Sequence, residues 1–216
     1  MTKTIELSKV RQGERFTLDG VEFVKLDENH MGAFIVAADA LPDNCQFESD
    51  DAEREDHNNF SGSHIAKVME RWLRDQHKPI FDATLERPID LTTMDGMTDY
   101  GTPLAVARLL TIDEYREYRR FIPLASRPFW LATGWTTNSS PSSDAYSAYY
   151  IYTDGAVNDN YVYDAYFAPR PALYLKSSIL VSIESDDEGC KDITTYTDTE
   201  LMDELYRRRR ASYDAG

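Results

Sequence analysis

The chain is poor in cysteine, histidine, cationic side chains and long apolar runs, and each shortage removes a class of protein. Two cysteines, Cys45 and Cys190, stand far apart in 216 residues, both in acidic, polar contexts. That is too few for a disulfide framework, although one bridge between them stays open, so a core must hold the fold. The four histidines, His30, His57, His64 and His77, lack metal-ligand spacing. No metal and no cofactor is expected. Lys and Arg number 23 against 38 Asp and Glu, giving a formal charge of −15. This balance argues against nucleic-acid backbones and anionic membrane surfaces, because both are gripped by clustered cations. No apolar run reaches the roughly 18 residues of a membrane span. The N-terminal MTKTIELSKVRQGERF carries no apolar signal segment. The expectation is a chain made in the cytoplasm, without signal peptide or membrane insertion, with a virion as one route to the outside. A GxSxG elbow, P-loop, GxGxxG, CxxC and HExxH are also missing. Carboxylates are plentiful, yet nothing marks any two as a glycosidase-like pair.

What is present reads as a mixture of short strands and helices without βαβ alternation, which predicts α+β. Asp19-Gly20 between residues 15–18 and 21–27 is a hairpin signal. GAFIVAA at 32–38 suits a buried strand, and 45–59, acidic and polar, reads as an exposed loop. Ser63 caps a helix whose Ile65, Val68, Met69, Trp72 and Leu73 form one apolar stripe. Trp72 is then a core anchor. Strands are expected at 105–110, 129–133, 149–153, 172–176 and 179–183. Thr111-Ile112-Asp113-Glu114 is a capping box opening a helix over 112–120. Arg170, between two prolines, is read as structural, its fork satisfied by carboxylates or carbonyls. Thr197-Asp198-Thr199-Glu200 opens a C-terminal helix with charges ordered favourably. Its terminal Arg207 to Arg210 complement the helix dipole. That helix is a candidate homo-oligomer contact, and the chain divides into 1–183 and a tail, 184–216.

Between Thr136 and Ala168 the composition changes. TTNSSPSSDAYSAYYIYTDGAVNDNYVYDAYFA holds seven of the fourteen tyrosines and no Lys, Arg, Glu, Gln, His, Met, Trp, Leu or Cys. Tyrosine with Ser and Asn is the composition of a recognition surface: broad amphipathic contact at low rotamer cost, beside adaptable hydrogen bonds. The candidate ligand-binding residues are Asn138, Tyr146, Tyr149, Tyr150, Tyr152, Asn158, Asp159, Asn160, Tyr161, Tyr163 and Tyr166. Strand alternation means some of these tyrosines are core. Tyr149 shares the expected core face with Ile151, and Tyr150 shares the other face with Tyr152. The cluster DGAVNDN is rich in oxygen ligands, but its spacing is not that of an EF-hand, and an exposed turn is expected there.

The ordered set NNFSGSHIAKVMERWL, LLTIDEYREYRRFIP, FWLATGW, the Tyr-rich stretch with TDGAVNDN, and RPALYL resembles a bacterial and phage domain family of formerly unknown function. The resemblance covers residues 13–181. It implies a C-type-lectin-like fold of the formylglycine-generating-enzyme branch, with long loops between the last strands forming a ligand surface. It also implies a role like that of the variable proteins of diversity-generating retroelements. There, adenines in Asn codons are randomised, and Lys, Glu, Gln, Met and Trp are not reached. All five are absent from 136–168. Cysteines of the formylglycine-generating enzymes have no counterpart in this stretch. The calcium motifs EPN, QPD and WND of C-type lectins are missing too.

Together these readings predict one α+β, C-type-lectin-like binding domain. Trp72, Trp130, Leu131, Leu173 and Leu175 form its scaffold, and its partner is a protein or glycan on a cell surface. Two rivals remain: a structural virion or assembly protein using the acidic face and C-terminal helix, and a carboxylate-dependent hydrolase.

Overall fold

The computed structural model describes residues 2–184. The expected C-terminal helix, its arginines and Cys190 lie outside the described residues. Among the described residues the architecture is α+β, with three antiparallel sheets and few, short helices.

The strands are β1 (Thr2–Glu6), β2 (Arg15–Leu18), β3 (Val21–Asn29), β4 (Gly32–Ala37), β5 (Arg87–Pro88), β6 (Leu104–Ala105), β7 (Phe129–Gly134), β8 (Ser147–Ile151), β9 (Val157–Tyr161), β10 (Ala172–Leu175) and β11 (Leu180–Glu184). A six-stranded sheet runs β1-β11-β2-β3-β4-β10, β5 pairs with β6, and β7-β8-β9 form the third sheet. The β2–β3 hairpin turns at Asp19-Gly20, with φ of 50° and 78°. Positive φ at both turn residues is what a two-residue hairpin matched to strand twist requires.

Helix α1 (His64–Gln76) begins at Ser63, whose hydroxyl accepts the Ala66 N–H. It buries Ile65, Met69 and Leu73. Val68 and Trp72 are only half-buried at the margin of that stripe. Trp72 is thus a rim residue rather than a deep anchor. Helix α2 (Lys78–Ala83) follows at once, with Pro79 in its first turn, where a missing N–H costs nothing. Helix α3 (Ile112–Tyr118) starts with the predicted capping box, both reciprocal bonds formed. The strand expected at 105–110 shrinks to β6 and a single bridge between Arg108 and Ala172. Arg108 is buried there, paired with the capping-box Glu114 and lying 5.1 Å over the Phe34 ring.

Two apolar clusters fill the interior, and several strands feed both. Along β4, Ala33, Ile35 and Ala37 enter one cluster while Phe34 and Val36 enter the other. A strand buried on both faces loses polar alternation, hence the continuous GAFIVAA. β7 and β8 behave alike: Trp130, Ala132, Ala148 and Tyr150 join the first cluster, and Phe129, Leu131, Tyr149 and Ile151 the second. Trp130 is fully buried and its indole N–H donates to the Cys45 carbonyl at 3.0 Å. Leu131, Leu173 and Leu175 are fully buried as well.

The segment 45–59 departs from the exposed loop expected of its acidity. Phe47 and Asn58 are fully buried, and Cys45, Glu48 and His57 nearly so. Arg54 neutralises Glu48, Nε to Oε2 at 2.6 Å, which lets an acidic segment enter the interior. Cys45 is a free thiol that burial raises to about 11. A thiol held protonated is a poor nucleophile. Arg170 is structural, as its context predicts. It is buried, and its guanidinium donates to the carbonyls of Ala37 (3.0 Å), Pro123 (3.1 Å) and Ala38 (2.8 Å).

Candidate functional site

The Tyr-rich segment folds as a hairpin with an approach loop. β8 and β9 pair in the register Ser147↔Tyr161, Tyr149↔Asp159 and Ile151↔Val157. Asp154-Gly155 supplies the turn, with Gly155 at φ 85°. Of DGAVNDN, expected as an exposed turn, only the first residues form the turn, and Asn158, Asp159 and Asn160 lie on the edge strand β9.

Two tyrosines assigned to the contact surface are scaffold instead. Tyr150 is 3% exposed, its ring 4.1 Å from that of Phe167 and 6.2 Å from that of Trp130. Tyr149 is 6% exposed and stacks on Trp135 at 5.7 Å. Alternation put Tyr149 on the expected core face, and only Tyr150 departs from it, because β8 has a core cluster on each face. Burial raises the phenol of Tyr149 to about 12, with the Asp159 charge adding to it.

The Ser/Thr-rich approach is also less available than its composition suggests. Asp95 accepts the hydroxyls of Thr136 (2.5 Å), Thr93 (2.6 Å) and Ser140 (2.8 Å). Asp99 accepts those of Thr137 (2.8 Å) and Ser139 (2.9 Å). Desolvation pushes the Asp95 carboxyl up, but these hydroxyls and the Met97 N–H outweigh it and hold it at about 2. Asn138 is exposed yet donates to the Glu55 carbonyl at 2.8 Å. At the centre sits Asn58, whose Nδ2 donates to the carbonyls of Thr136 (3.0 Å), Ser147 (2.8 Å) and Asp144 (3.3 Å). Its Oδ1 accepts the Tyr100 hydroxyl at 2.6 Å. Gly134 leaves room for it, since a Cβ there would stand 2.8 Å from Nδ2. Asn58, Asp95 and Asp99 were missed from sequence. Only proximity across the fold reveals them.

On β9 the asparagines have a local task. Val162 N–H bonds to Tyr146 O and Tyr152 N–H to Ala156 O. Antiparallel pairs alternate in bonding, so this phase turns the backbone groups of Val157, Asp159 and Tyr161 outward at the sheet edge. The Asp159 N–H donates to Asn158 Oδ1 (3.0 Å) and the Tyr161 N–H to Asn160 Oδ1 (2.8 Å). Asn160 also donates to Asp164 at 2.8 Å. Their carbonyl oxygens cover outward donors of an edge strand, a place where uncovered groups invite other strands. Asn160 and Asp159 are half-buried, and Asn158 is exposed.

The outward set is smaller and more aromatic than predicted. Ten large apolar or aromatic side chains are exposed among the described residues, and five of them, Tyr146, Tyr152, Val157, Tyr161 and Tyr166, lie in this one hairpin region. Trp135, just before it, is a sixth, and it was not among the candidate residues. Tyr161 and Tyr166 are the most open, at 64% and 60%. Tyr146 stacks on the His57 ring at 4.8 Å, and the Tyr163 hydroxyl lies 2.8 Å from His57 Nδ1. Tyr163 is half-buried and props this pair from beneath. Tyr152 leans edge-on against Tyr150 at 4.8 Å. Tyr146, Tyr152 and Tyr166, the last edge-on to Phe167 at 5.5 Å, therefore rest on buried rings and enter a contact with little freedom left to lose.

Among the described residues, no group of three His, Cys, Asp or Glu side chains is placed to hold a metal ion, and no helix is long and apolar enough to cross a membrane. No protein-family model, no curated protein and no solved structure matches this chain.

Proposed function

We propose that this chain is a binding protein whose β8–β9 hairpin and flanking turns present an aromatic surface to a protein or glycan ligand on a cell surface. The carrying observation is the gathering of Tyr146, Tyr152, Val157, Tyr161 and Tyr166, with Trp135 beside them, in one region. By the β8–β9 register Tyr146 and Tyr152 face one side of the hairpin and Val157 and Tyr161 the other. Exposed aromatics concentrated on one element mark an interaction site, since a protein with no partner leaves them in water at a cost. Tyr and Trp are also the residues that dominate contact energies in interfaces. The resemblance to C-type-lectin-like variable proteins supports the same reading, with the surface between β7 and β10. Diversification, if it acts here, is expected at the outward codons of Asn138, Tyr146, Tyr152, Asn158, Tyr161 and Tyr166. Thr136, Thr137, Ala148 and Tyr150 are buried, so randomising them breaks the fold.

A hydrolase reading is less well supported. A glycosidase-type general acid needs a raised pKa. The displaced carboxyls Glu28, Asp39, Asp51, Asp90, Asp95 and Asp99 all move down.

The test replaces Tyr146, Tyr152, Tyr161 and Tyr166 together by Ala. Binding of the labelled protein to whole cells from its source population is followed by flow cytometry. The variant is expected to keep the parent's circular dichroism and lose cell binding. Undiminished binding by the folded variant refutes the reading.

A further inference from the structure

We infer a second binding site, for a neutral saccharide unit, in the groove alongside α1. This open groove has a volume of about 630 Å³, within the roughly 300–1,000 Å³ of small-molecule sites. Leu41, Pro42, Val68 and Pro169 supply apolar wall, and Ala165 links the groove to the segment that carries Tyr166.

Its polar groups distinguish it from the tyrosine surface. The Ser, Thr and Asn side chains of the approach loop and β9 bond internally, as described above. In the groove, Asp43, Asp75, Gln76 and the indole N–H of Trp72 make no side-chain hydrogen bond among the described residues. Asp43, Asp75 and Gln76 are exposed and Trp72 is half-buried, so each is open to a visitor. Arg71 engages only its Nε, toward the Lys67 carbonyl at 3.4 Å, which leaves its terminal nitrogens available. Trp130 shows the contrast, its indole N–H being satisfied inside the core. The half-buried Trp72 is thus held by its packing with an accessible donor.

The chemistry selects the ligand. Two carboxylates accept, a guanidinium and an indole N–H donate, and a primary amide does both. These partners are mixed in sign, so neither a strong anion nor a strong cation is matched without repulsion. A neutral polyol meets all of them, because each hydroxyl both donates and accepts. The C–H face of a pyranose ring adds apolar contact for the indole. This inference does not rest on the tyrosine surface being a binding site.

The experiment uses the full chain, in buffer with EDTA, and a panel of methyl glycosides of glucose, galactose, mannose and N-acetylglucosamine. Saturation-transfer NMR reads binding. At least one glycoside is expected to receive transfer. R71A and D75A, both on the exposed side of α1, are expected to weaken it by about tenfold, the loss for one hydrogen bond to a charged group. Their thermal midpoints should match the parent's, and Y161A should bind like the parent. Absence of transfer to every glycoside overturns the inference. So does a signal that requires added calcium, and so does binding that survives R71A and D75A but falls with Y161A. The last result transfers sugar recognition to the tyrosine surface, while failure of cell binding alone leaves the groove standing.

Discussion

Replacing Asn58 by alanine is expected to unfasten the loop that leads into the aromatic hairpin. Asn58 is fully buried and ties four groups from three segments: the carbonyls of Thr136, Asp144 and Ser147, and the Tyr100 hydroxyl. The Ser147 carbonyl keeps a second donor, the Trp135 N–H at 2.9 Å. Alanine therefore strands chiefly the Thr136 carbonyl and the Tyr100 hydroxyl. At about 1–3 kcal/mol for each buried group left unpaired, the loss is roughly 2–6 kcal/mol. That is a large part of the about 5–15 kcal/mol that holds a domain together. At about 2–4 °C per kcal/mol for a chain of this size, the midpoint should fall by about 10 °C. Differential scanning calorimetry and urea titration measure this directly. Tyr100→Phe should cost less, and the double variant should cost less than the sum, because the two share one bond. A loss for Asn58→Ala below about 1 kcal/mol, or strict additivity with Tyr100→Phe, refutes Asn58 as the tie.

Three further outcomes follow from the geometry. Tyr150→Ala should destabilise by about 3–5 kcal/mol and Tyr161→Ala by under about 0.5 kcal/mol in urea titrations; equal costs contradict the division into scaffold and surface rings. The Asp95 carboxyl lies at about 2 in the fold against an ordinary 3.8, so the folded chain binds this proton less tightly than the unfolded one. Its stabilisation is present above about pH 4 and lost as pH falls toward about 2; hydrogen exchange at Thr136 and Thr137 should rise over that window, and Asp95→Asn should remove the dependence. Joint replacement of Asn158 and Asn160 by Ala uncovers the outward N–H groups of Asp159 and Tyr161, so sedimentation should show more concentration-dependent association than in the parent; an unchanged profile removes the edge-covering role.

Much of the fold was legible because its causes are local. The Asp19-Gly20 hairpin needs positive φ, the Thr111–Glu114 box satisfies orphan donors within four residues, and α1 shows a period near 3.6. Arg170 was readable because an arginine before an apolar strand must find acceptors. The candidate site was legible as a region but not residue by residue. Tyr146, Tyr152, Tyr161 and Tyr166 are outward, whereas Tyr149 and Tyr150 are not. A strand lined on both faces by core gives no parity signal.

By itself, then, the sequence determined the class of the fold, the positions of its short-range elements and the place where aromatic side chains collect. Those depend on propensity, capping and composition, which act over a few residues. Only the tertiary structure decided which aromatics face water, that Asn58 fastens the loop, that Asp95 and Asp99 absorb the Ser/Thr hydroxyls, and that a polar groove opens beside Trp72. Each of these is set by groups tens of residues apart: Asn58 meets Ser147, and Asp95 meets Thr136. Burial and hydrogen-bond satisfaction are properties of the assembled chain, so no window of sequence contains them.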